Sequence, residues 1–555
     1  MTQDYALEIL KSGRNVFLTG SAGTGKTYVL NQYISYLRER KVAVAITAST
    51  GIAATHMNGV TIHSWSGIGV KDQITSADLR RMKKKAFLTK RVAKAKVLII
   101  DEISMLHKRQ LRLLDEVLRY LRDSLEPFGG LQLIVSGDFF QLPPVEKRDV
   151  ASREIFCFMS EAWVQANFTV CYLTQQFRQS ENELVEILRE IRTQNISEKT
   201  INTLQRKVVD AAQDNPDVYP HLYTHNANVD HFNTEKLIEL RGSIRNFTAE
   251  VKGKEALIEQ LKRNVNAVEN LQLKDGAEVM FIRNNPELGV VNGTLGKIEG
   301  FDEEDGYPIV VTRGGDEVVA EPETWQIEDE TGKPLAQMMQ VPLRLAWAIT
   351  VHKSQGMTLD AACMNLRSAF EVGQGYVALS RLRELDGLTL LGINDMALQL
   401  DPLALKADAR FQELSAKVEQ ESRTNLRVEA TKFIQKVGGL TAQKDIAKQK
   451  DKLKKRKTPT IEITKGFFNK GMTVEEIADQ RGLAQSTILS HLLQLKKGGH
   501  AVDIEHLKPE EEILIPVREA VAALGEDSKS KKAIHDHLKG KYSYDDISLC
   551  LLFVP

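Results

Sequence analysis

The sequence predicts an α/β protein of two parallel-sheet domains, with a small β-barrel inserted in the second and an α-helical helix-turn-helix tail. Three observations lead there. A short apolar run at residues 15–19 is followed by a glycine loop, a helix over about 26–40 and a strand at 42–47, which is a strand-loop-helix-strand unit. Two further apolar runs, 97–100 and 131–136, each meet an acidic residue shortly after they end, as buried parallel strands with function at their carboxyl ends do. Finally, 555 residues at about 150 per domain allow three or four folded units.

In chain order, residues 1–170 read as the first α/β domain, with a small accessory segment at about 55–95. Residues 171–400 read as the second, on strand-like runs at 170–173, 221–224, 345–350 and 388–393 that alternate with helical stretches. Between 277 and 341 short alternating segments (278–282, 296–300, 309–312) are separated by Gly, Asn and Asp turns, which suits an inserted small β-barrel. Residues 401–457 are charged and rich in Gln and Lys, helical or flexible, and end in a stretch from 444 to 457 with eight basic residues against Asp445 and Asp451. That is the composition of a basic linker.

Order returns over 458–555. Thr473 and Glu476 have capping-box spacing, and Val474, Ile477 and Ala478 form one apolar face. After a turn at 481–484, a helix over 486–495 would bury Ile488, Leu492 and Leu495 and show Gln485, Thr487, Ser490, His491 and Gln494 outward. Two short helices across a tight turn make a helix-turn-helix, which serves nucleic-acid contact or protein docking.

Composition narrows the function classes. With 42% apolar and 27% charged residues the chain is an ordinary globular protein. No apolar run approaches the roughly 20 residues needed to cross a bilayer, so no membrane partner is expected. Cys157, Cys171, Cys363 and Cys550 lie far apart without a C-x-x-C pair, which argues against a zinc cluster or disulfide framework and for a reducing cytoplasm. The 74 basic and 74 acidic residues cancel, which counts against a wholly polybasic nucleic-acid binder. Zero is nevertheless a sum of patches: 80–96 holds nine basic residues and no acid, and 441–500 carries 13 basic against six acidic, so the rest of the chain sums to −7.

The sharpest chemical signal is GSAGTGKT, residues 20–27, which follows a strand and opens a helix as a phosphate-binding loop must. Gly20, Gly23, Thr24 and Gly25 form the cradle, with backbone N–H groups turned toward phosphate oxygens; Lys26 reaches the β- and γ-phosphates and the Thr27 hydroxyl can ligate Mg2+. ATP and Mg2+ are therefore the expected cofactors. Asp101, directly after the 97–100 strand, is the expected second metal anchor, and Glu102 polarises the attacking water. Gln141 in GDFFQLPPV (137–145) offers an amide that senses the γ-phosphate, in a loop stiffened by Pro143 and Pro144.

Together with TASTGIAA (47–54), TIHSW (61–65), DEISM (101–105), LTQQFRQ (173–179), VNGTLGKI (291–298), AITVHKSQGMTLD (348–360) and GYVALSRLRELDGL (375–388), these motifs resemble, in order, those of the Pif family of superfamily-1 DNA helicases. The resemblance covers roughly residues 1–400. It implies two RecA-like P-loop domains that hold ATP in their cleft, translocate 5′-to-3′ along single-stranded DNA and unwind tailed or forked duplex in replication, repair or recombination. It also implies that Arg178 and Arg381 reach the γ-phosphate from the second domain, and that Gln3 reads the adenine edge, although the lead before Gln3 is short for the family. The DNA track would comprise Thr47, Thr50, His63, Pro144, Thr350, His352 and Lys353. The barrel insert would guide DNA, and the basic 80–96 stretch lies where the family carries an accessory subdomain. The tail resembles helix-turn-helix modules appended to some RecQ-type helicases. A monomer is expected, with DNA or a protein as the partner of the tail. Two other readings stay open at this level, an ATP-switched DNA-binding regulator that uses the helix-turn-helix and an RNA-directed motor.

Overall fold

The computed structural model describes residues 1–554 apart from 58, 70, 145–149, 178–181, 210–219, 254, 266, 284, 286–287, 291, 303–304, 329–333, 352, 356, 358, 360, 457–459, 470, 482–484, 486–487, 490, 493–494, 496–503, 505–506, 525–533 and 536. Its contacts divide into two compact units, one of residues 1–233, 328–334 and 347–453, the other of 234–327, 335–346 and 454–555.

The first unit holds two parallel sheets. Six strands, β1 (Val16–Gly20), β2 (Val44–Ala48), β3 (Val60–Thr61), β4 (Val97–Asp101), β5 (Gln132–Ser136) and β6 (Thr169–Leu173), lie in the order β3-β2-β4-β5-β1-β6. Every pairing is parallel, with Val16 opposite both Ile134 and Thr169, and Val97 opposite Val44 and Gln132. β1, β4 and β5 are buried along their whole length. Helices therefore cover both faces, and the strands read as unbroken apolar runs rather than alternating ones. Because β4, β5 and β1 are neighbours, their carboxyl ends bring the DE pair, the GD pair and the glycine loop to one edge.

The run at 170–173, assigned from sequence to the second domain, is in fact the edge strand β6 of the first sheet. It fills the free side of β1, and Thr169 N–H also bonds to Asn15 O at 2.9 Å. Apolar content alone does not say which sheet a strand joins. The accessory segment consists of helices Gly51–His56, Ile62–Ser66, Ser76–Lys84 and Ala86–Lys94. Ser76–Lys84 is opened by a capping box between Thr75 and Asp78.

The second parallel sheet has the order β8-β7-β9-β10, with β7 His221–Tyr223, β8 Ala348–Thr350, β9 Ala362–Leu366 and β10 Leu388–Ile393. Three of these were expected; β9, ACMNL, holds no β-branched or aromatic residue to mark it as a strand. Helices Pro402–Val418 and Arg423–Lys436 bear out the helical character expected of 401–457 but correct its reading as a linker over these residues, because both pack on the core of the first domain. Phe411 packs edge-on against Phe17 with ring centroids 4.9 Å apart, and Leu426 and Ile434 belong to the core cluster that contains Tyr5, Ile9, Leu10 and Leu30.

In the second unit, strands Glu278–Phe281, Leu295–Phe301, Pro308–Thr312, Glu317–Val319 and Leu343–Leu345 form a five-stranded antiparallel sheet. The insert starts earlier than 277: Arg245–Thr248 pairs with Asn270–Leu273, and Glu250–Gly253 pairs with Pro334–Gln340. The tail folds on two apolar clusters. One gathers Phe468, Ile477, Ile488, Leu492 and Leu495; the other gathers Leu514, Val517, Ile534, Ile547 and Cys550. The predicted capping box is present, with Thr473 N–H to Glu476 at 2.9 Å and Glu476 N–H to the Thr473 hydroxyl at 3.2 Å. His491, expected to face outward, is buried with Nδ1 2.9 Å from the Thr464 hydroxyl, which Arg481 also contacts. A buried partner on helix Thr460–Phe468 outweighs the polar character that suggested exposure. Gln485 is helical; Thr487, Ser490 and Gln494 lie outside the described residues.

Candidate nucleotide and DNA-binding site

β1 delivers the phosphate loop. The chain enters helix Lys26–Glu39 through Gly25, whose φ of 80° is left-handed. A Cβ there would lie 2.1 Å from the Gln3 amide nitrogen, so glycine is what allows the N-terminal helix, Gln3–Lys11, to touch the loop. Gln3 Nε2 donates to the Thr24 carbonyl at 3.0 Å, and the buried Thr24 donates its hydroxyl to Ser21 O at 2.9 Å. Thr27 stands exposed in the first helical turn. Lys26 Nζ donates to the carbonyls of Gly20 at 2.8 Å and Ser21 at 3.0 Å. Burial lowers its pKa from the usual lysine value, against the opposing pull of Asp138, Glu102 and Asp101.

β4 delivers two carboxylates. Asp101 is 8% exposed, and Glu102 follows it with φ 51° and ψ 48°. A non-glycine residue in that region costs about 1 to 3 kcal/mol, and such strain persists only where the surroundings enforce it. Here the Ser49 hydroxyl donates to Glu102 O at 2.6 Å and the Gln355 amide donates to Glu102 Oε2 at 2.9 Å. Burial raises the pKa of both acids; for Glu102 the neighbouring Asp101 adds to the rise, while Lys26, Arg381 and the Gln355 hydrogen bond oppose it.

β5 leads into Asp138 and Gln141. Gln141 is buried, and its Oε1 accepts from the same Gln355 nitrogen at 3.2 Å. The two amide hydrogens of one side chain thus bridge Glu102 and Gln141. Arg381 is 1% exposed at the end of helix Gln374–Leu379; its Nε donates to Val377 O at 3.0 Å and its Nη2 to the Ser380 hydroxyl at 3.0 Å. Its charge opposes the rise in the Glu102 pKa, so the second sheet's arginine acts electrostatically on the first sheet's carboxylate. Arg178 lies outside the described residues. The residues before it lie against the phosphate loop, with Gln176 Nε2 on the Ser21 hydroxyl at 2.6 Å and Phe177 N–H on Gly23 O at 3.0 Å.

The residues expected on a DNA track are less uniform. Thr47 is 1% exposed and its hydroxyl donates to Ile99 O at 2.6 Å, so that group ties β2 to β4 and faces no surface. Thr50 accepts from Ala53 N–H at the start of a helix, and Thr350 is buried and accepts from Lys353 N–H, both at 3.3 Å. Pro144 is buried, and His63 is half-buried against Gln110, with burial lowering its pKa. Lys353 is half-buried; His352 lies outside the described residues.

Sequence reading assigned no role to four residues that the structure places here. Gln355 was quoted within VHKSQG and Asp138 within GDFFQ, so their motifs were the available signal. Asp138 pairs with Arg192 at 2.6 Å; Arg192 donates to Tyr376 Oη at 2.8 Å, and Tyr376 Oη lies 3.2 Å from Asp138. Tyr376 was likewise quoted within GYVALSRLRELDGL, whereas Arg192 lies in no quoted motif, and its partners Asp138 and Tyr376 are 54 and 184 residues away. Burial pushes the Tyr376 hydroxyl up to about 12, so it stays a protonated donor.

Comparison with known proteins agrees with this geometry. Residues 5–208 match the PIF1-like helicase family, 256–301 the 2B domain of DNA helicase Pif1, and 460–551 a helix-turn-helix domain. The ATP-dependent DNA helicase Pif1 of Psychrobacter sp. (strain PRwf-1) is 43% identical over 100% of both chains. Among solved structures, the Pif1 helicase of Candida albicans is similar with a TM-score of 0.67 and 35% identity, covering 74% of this chain and 98% of that one. The Pif1 helicase from Bacteroides in complex with ADP-AlF3 and single-stranded DNA is similar with a TM-score of 0.55 and 32% identity, covering 72% of this chain and 94% of that one. On this likeness, which spans whole chains as well as the clustered site, the protein belongs to the Pif1-like family of ATP-dependent DNA helicases.

Proposed function

We propose that this helicase moves 5′-to-3′ on single-stranded DNA and opens tailed or forked duplex, with hydrolysis switched on by the strand itself. One observation carries the reading: the turn bearing Thr350 and Lys353 reaches Glu102 and Gln141 through Gln355. A strand that moves this turn moves the carboxylate that orients water. The relative from Bacteroides, solved with ADP-AlF3 and single-stranded DNA together, supports the pairing of the two ligands.

In this reading the cradle formed by Gly20, Gly23, Thr24 and Gly25 binds the phosphates, Lys26 reaches the β- and γ-phosphates, and Glu102 holds the attacking water. Arg381, with Arg178, stabilises charge at the transferring phosphoryl, an effect worth about 10³ to 10⁵ in rate. Gln141 senses the γ-phosphate and Gln3 reads the base. The oxygen donors Thr27 and Asp101, one exposed on the first helical turn and one buried and raised in pKa by lost solvation, suit a hard divalent cation. They would hold Mg2+, which would supply neutralisation of phosphate charge.

Thr50, His63, Pro144, Thr350, His352 and Lys353 form the track, and Thr47 shapes the strand beneath it. We read the insert as a small barrel that guides DNA, supported by its antiparallel sheet and the bulge between Ile298 and Gly300. We read the chain as a monomer in the cytoplasm, its functional divisions a first domain that takes in β6, a second domain up to about residue 400 and a tail over 458–555. The tail contributes duplex contact. A regulator that uses ATP only as a switch has no need of Gln355 and Arg381 at one carboxylate.

Unwinding of matched 5′- and 3′-tailed duplexes, with ATPase measured with and without single-stranded DNA, tests the proposal. Opening of the 5′-tailed substrate and DNA-stimulated hydrolysis are expected. Equal ATPase in both conditions with no unwinding would overturn it.

A further inference from the structure

Residues 402–440 form a strap behind the nucleotide loop, and we infer that this strap sets the affinity for ATP by holding Gln3 in place. The inference rests on the reading of Gln3 as a nucleotide-binding residue. Gln3 begins a nine-residue helix, Gln3–Lys11, which is too short to hold itself in water and depends on its neighbours.

One side of that helix is fixed by the sheet. Buried Gln132 on β5 donates to Leu10 O at 2.9 Å and Arg14 O at 2.8 Å, and accepts from Tyr33 Oη of the phosphate-loop helix at 2.6 Å. The other side is fixed by the strap. Tyr5, two residues from Gln3, directs its hydroxyl at the carbonyls of Val418 at 2.9 Å and Glu421 at 2.8 Å, at the end of helix Pro402–Val418. The Arg423 guanidinium lies 5.3 Å from the Tyr5 ring centre.

Arg14 makes a two-pronged bond to Glu429, Nε and Nη2 each at 2.8 Å, and reaches Glu421 at 2.9 Å. The hydrogen bond to Glu429 is the main cause that raises the arginine pKa, and these groups are about one-third exposed. The contact is built for close approach. Gly13 has φ 86°, and a Cβ there would fall 2.4 Å from the Phe433 ring. Leu426 and Ile434 seal the interface into the same core as Tyr5 and Ile9.

These contacts hold the short helix at both ends, at Tyr5 in its first turn and at Arg14 just past its last. At its N-terminus, one turn or less from Tyr5, the Gln3 amide is held 3.0 Å from the Thr24 carbonyl within the phosphate loop. Loosening the strap lets the helix shift without touching Lys26, Glu102 or Arg381. Nucleotide affinity should therefore fall while the chemical step is kept. Tyr5, Arg14, Glu421 and Glu429 are positioning residues that act through Gln3.

The test is steady-state ATPase of the full chain with saturating single-stranded DNA, comparing Tyr5→Phe, Arg14→Gln and Glu429→Gln in both the natural and the Gln3→Ala backgrounds. Each strap variant should raise KM for ATP about fivefold at unchanged kcat, an effect that disappears on Gln3→Ala. The exchanged pair Arg14→Glu with Glu429→Arg should restore KM. Tyr5→Phe keeps the ring in the core and so reads the hydroxyl alone if the charge variants fold poorly. An unchanged KM, or the same rise on the Gln3→Ala background, would overturn the inference. If Gln3→Ala by itself leaves KM unaltered, the assignment of Gln3 fails and the inference falls with it.

Discussion

At the scale of single residues, the decisive arrangement is a buried carboxylate in a strained backbone whose proton affinity is set by its neighbours. Burial raises Glu102 above its ordinary 4.5, and the Gln355 hydrogen bond works the other way. Water activation needs the ionised form, so activity is lost as pH falls through the raised value. The acid limb of kcat/KM for ATP should therefore lie above 4.5. Gln355→Leu removes a group that favours the ionised form, so that limb should move further up, and DNA-stimulated hydrolysis should drop by about tenfold because Glu102 and Gln141 lose their bridge. A pH–rate profile of both proteins reads the two effects together; a limb that does not move would show that Gln355 leaves Glu102 untouched. Lys26→Ala makes the complementary case. It should abolish hydrolysis and leave binding of single-stranded DNA nearly intact, as fluorescence anisotropy would report, because Lys26 donates its hydrogen bonds within the phosphate loop.

At the scale of elements, the Asp138–Arg192–Tyr376 node ties the loop after β5 to helix Asn182–Thr193 and to helix Gln374–Leu379. Asp138 is 1% exposed, and Arg192 also reaches Asp408 and stacks 4.5 Å from the Phe140 ring centre. Arg192→Met leaves a buried charge unpaired, and should lower unfolding stability by about 3 to 5 kcal/mol in urea denaturation. The same node marks what the sequence could and could not reveal. β1, β4 and β5 were legible because a strand buried on both faces is an unbroken apolar run that ends where its chemistry starts. The phosphate loop, Asp101, Glu102 and Gln141 were legible because their spacing follows from local geometry. Arg192 was not, since a lone arginine on a charged helix looks like any solvated residue until its distant partners are known. Helix Arg423–Lys436 was hidden for another reason. Leu426, Ala430 and Ile434 recur every four residues, but the polar residues between them made the segment look like a linker.

At the scale of the whole chain, the net charge of zero conceals a division of labour, with a basic region at 441–500 against a mildly acidic remainder. The strap changes where the helix-turn-helix tail can be separated from the motor. A chain ending at 400 loses Phe411, Leu426 and Ile434, each buried in the core of the first sheet's domain and each worth about 2 kcal/mol on burial. It also loses Glu429, the partner of Arg14. Such a chain should unfold well below the full-length protein and bind nucleotide poorly. A chain ending at 457 keeps the strap and eight of the 13 basic residues of 441–500, and removes the two apolar clusters of the tail, whose buried residues all lie beyond 467. It should melt like the motor, retain DNA-stimulated ATPase, and bind DNA more weakly. Its affinity should also fall less steeply with salt, because every phosphate that the tail no longer neutralises takes away its share of counterion release, close to one unit of slope per phosphate. Binding titrations of the full chain and the 457-residue chain across a range of salt, on single-stranded and forked DNA, read this directly. A shallower slope assigns the tail to DNA; parallel slopes would assign its exposed face to a protein partner instead.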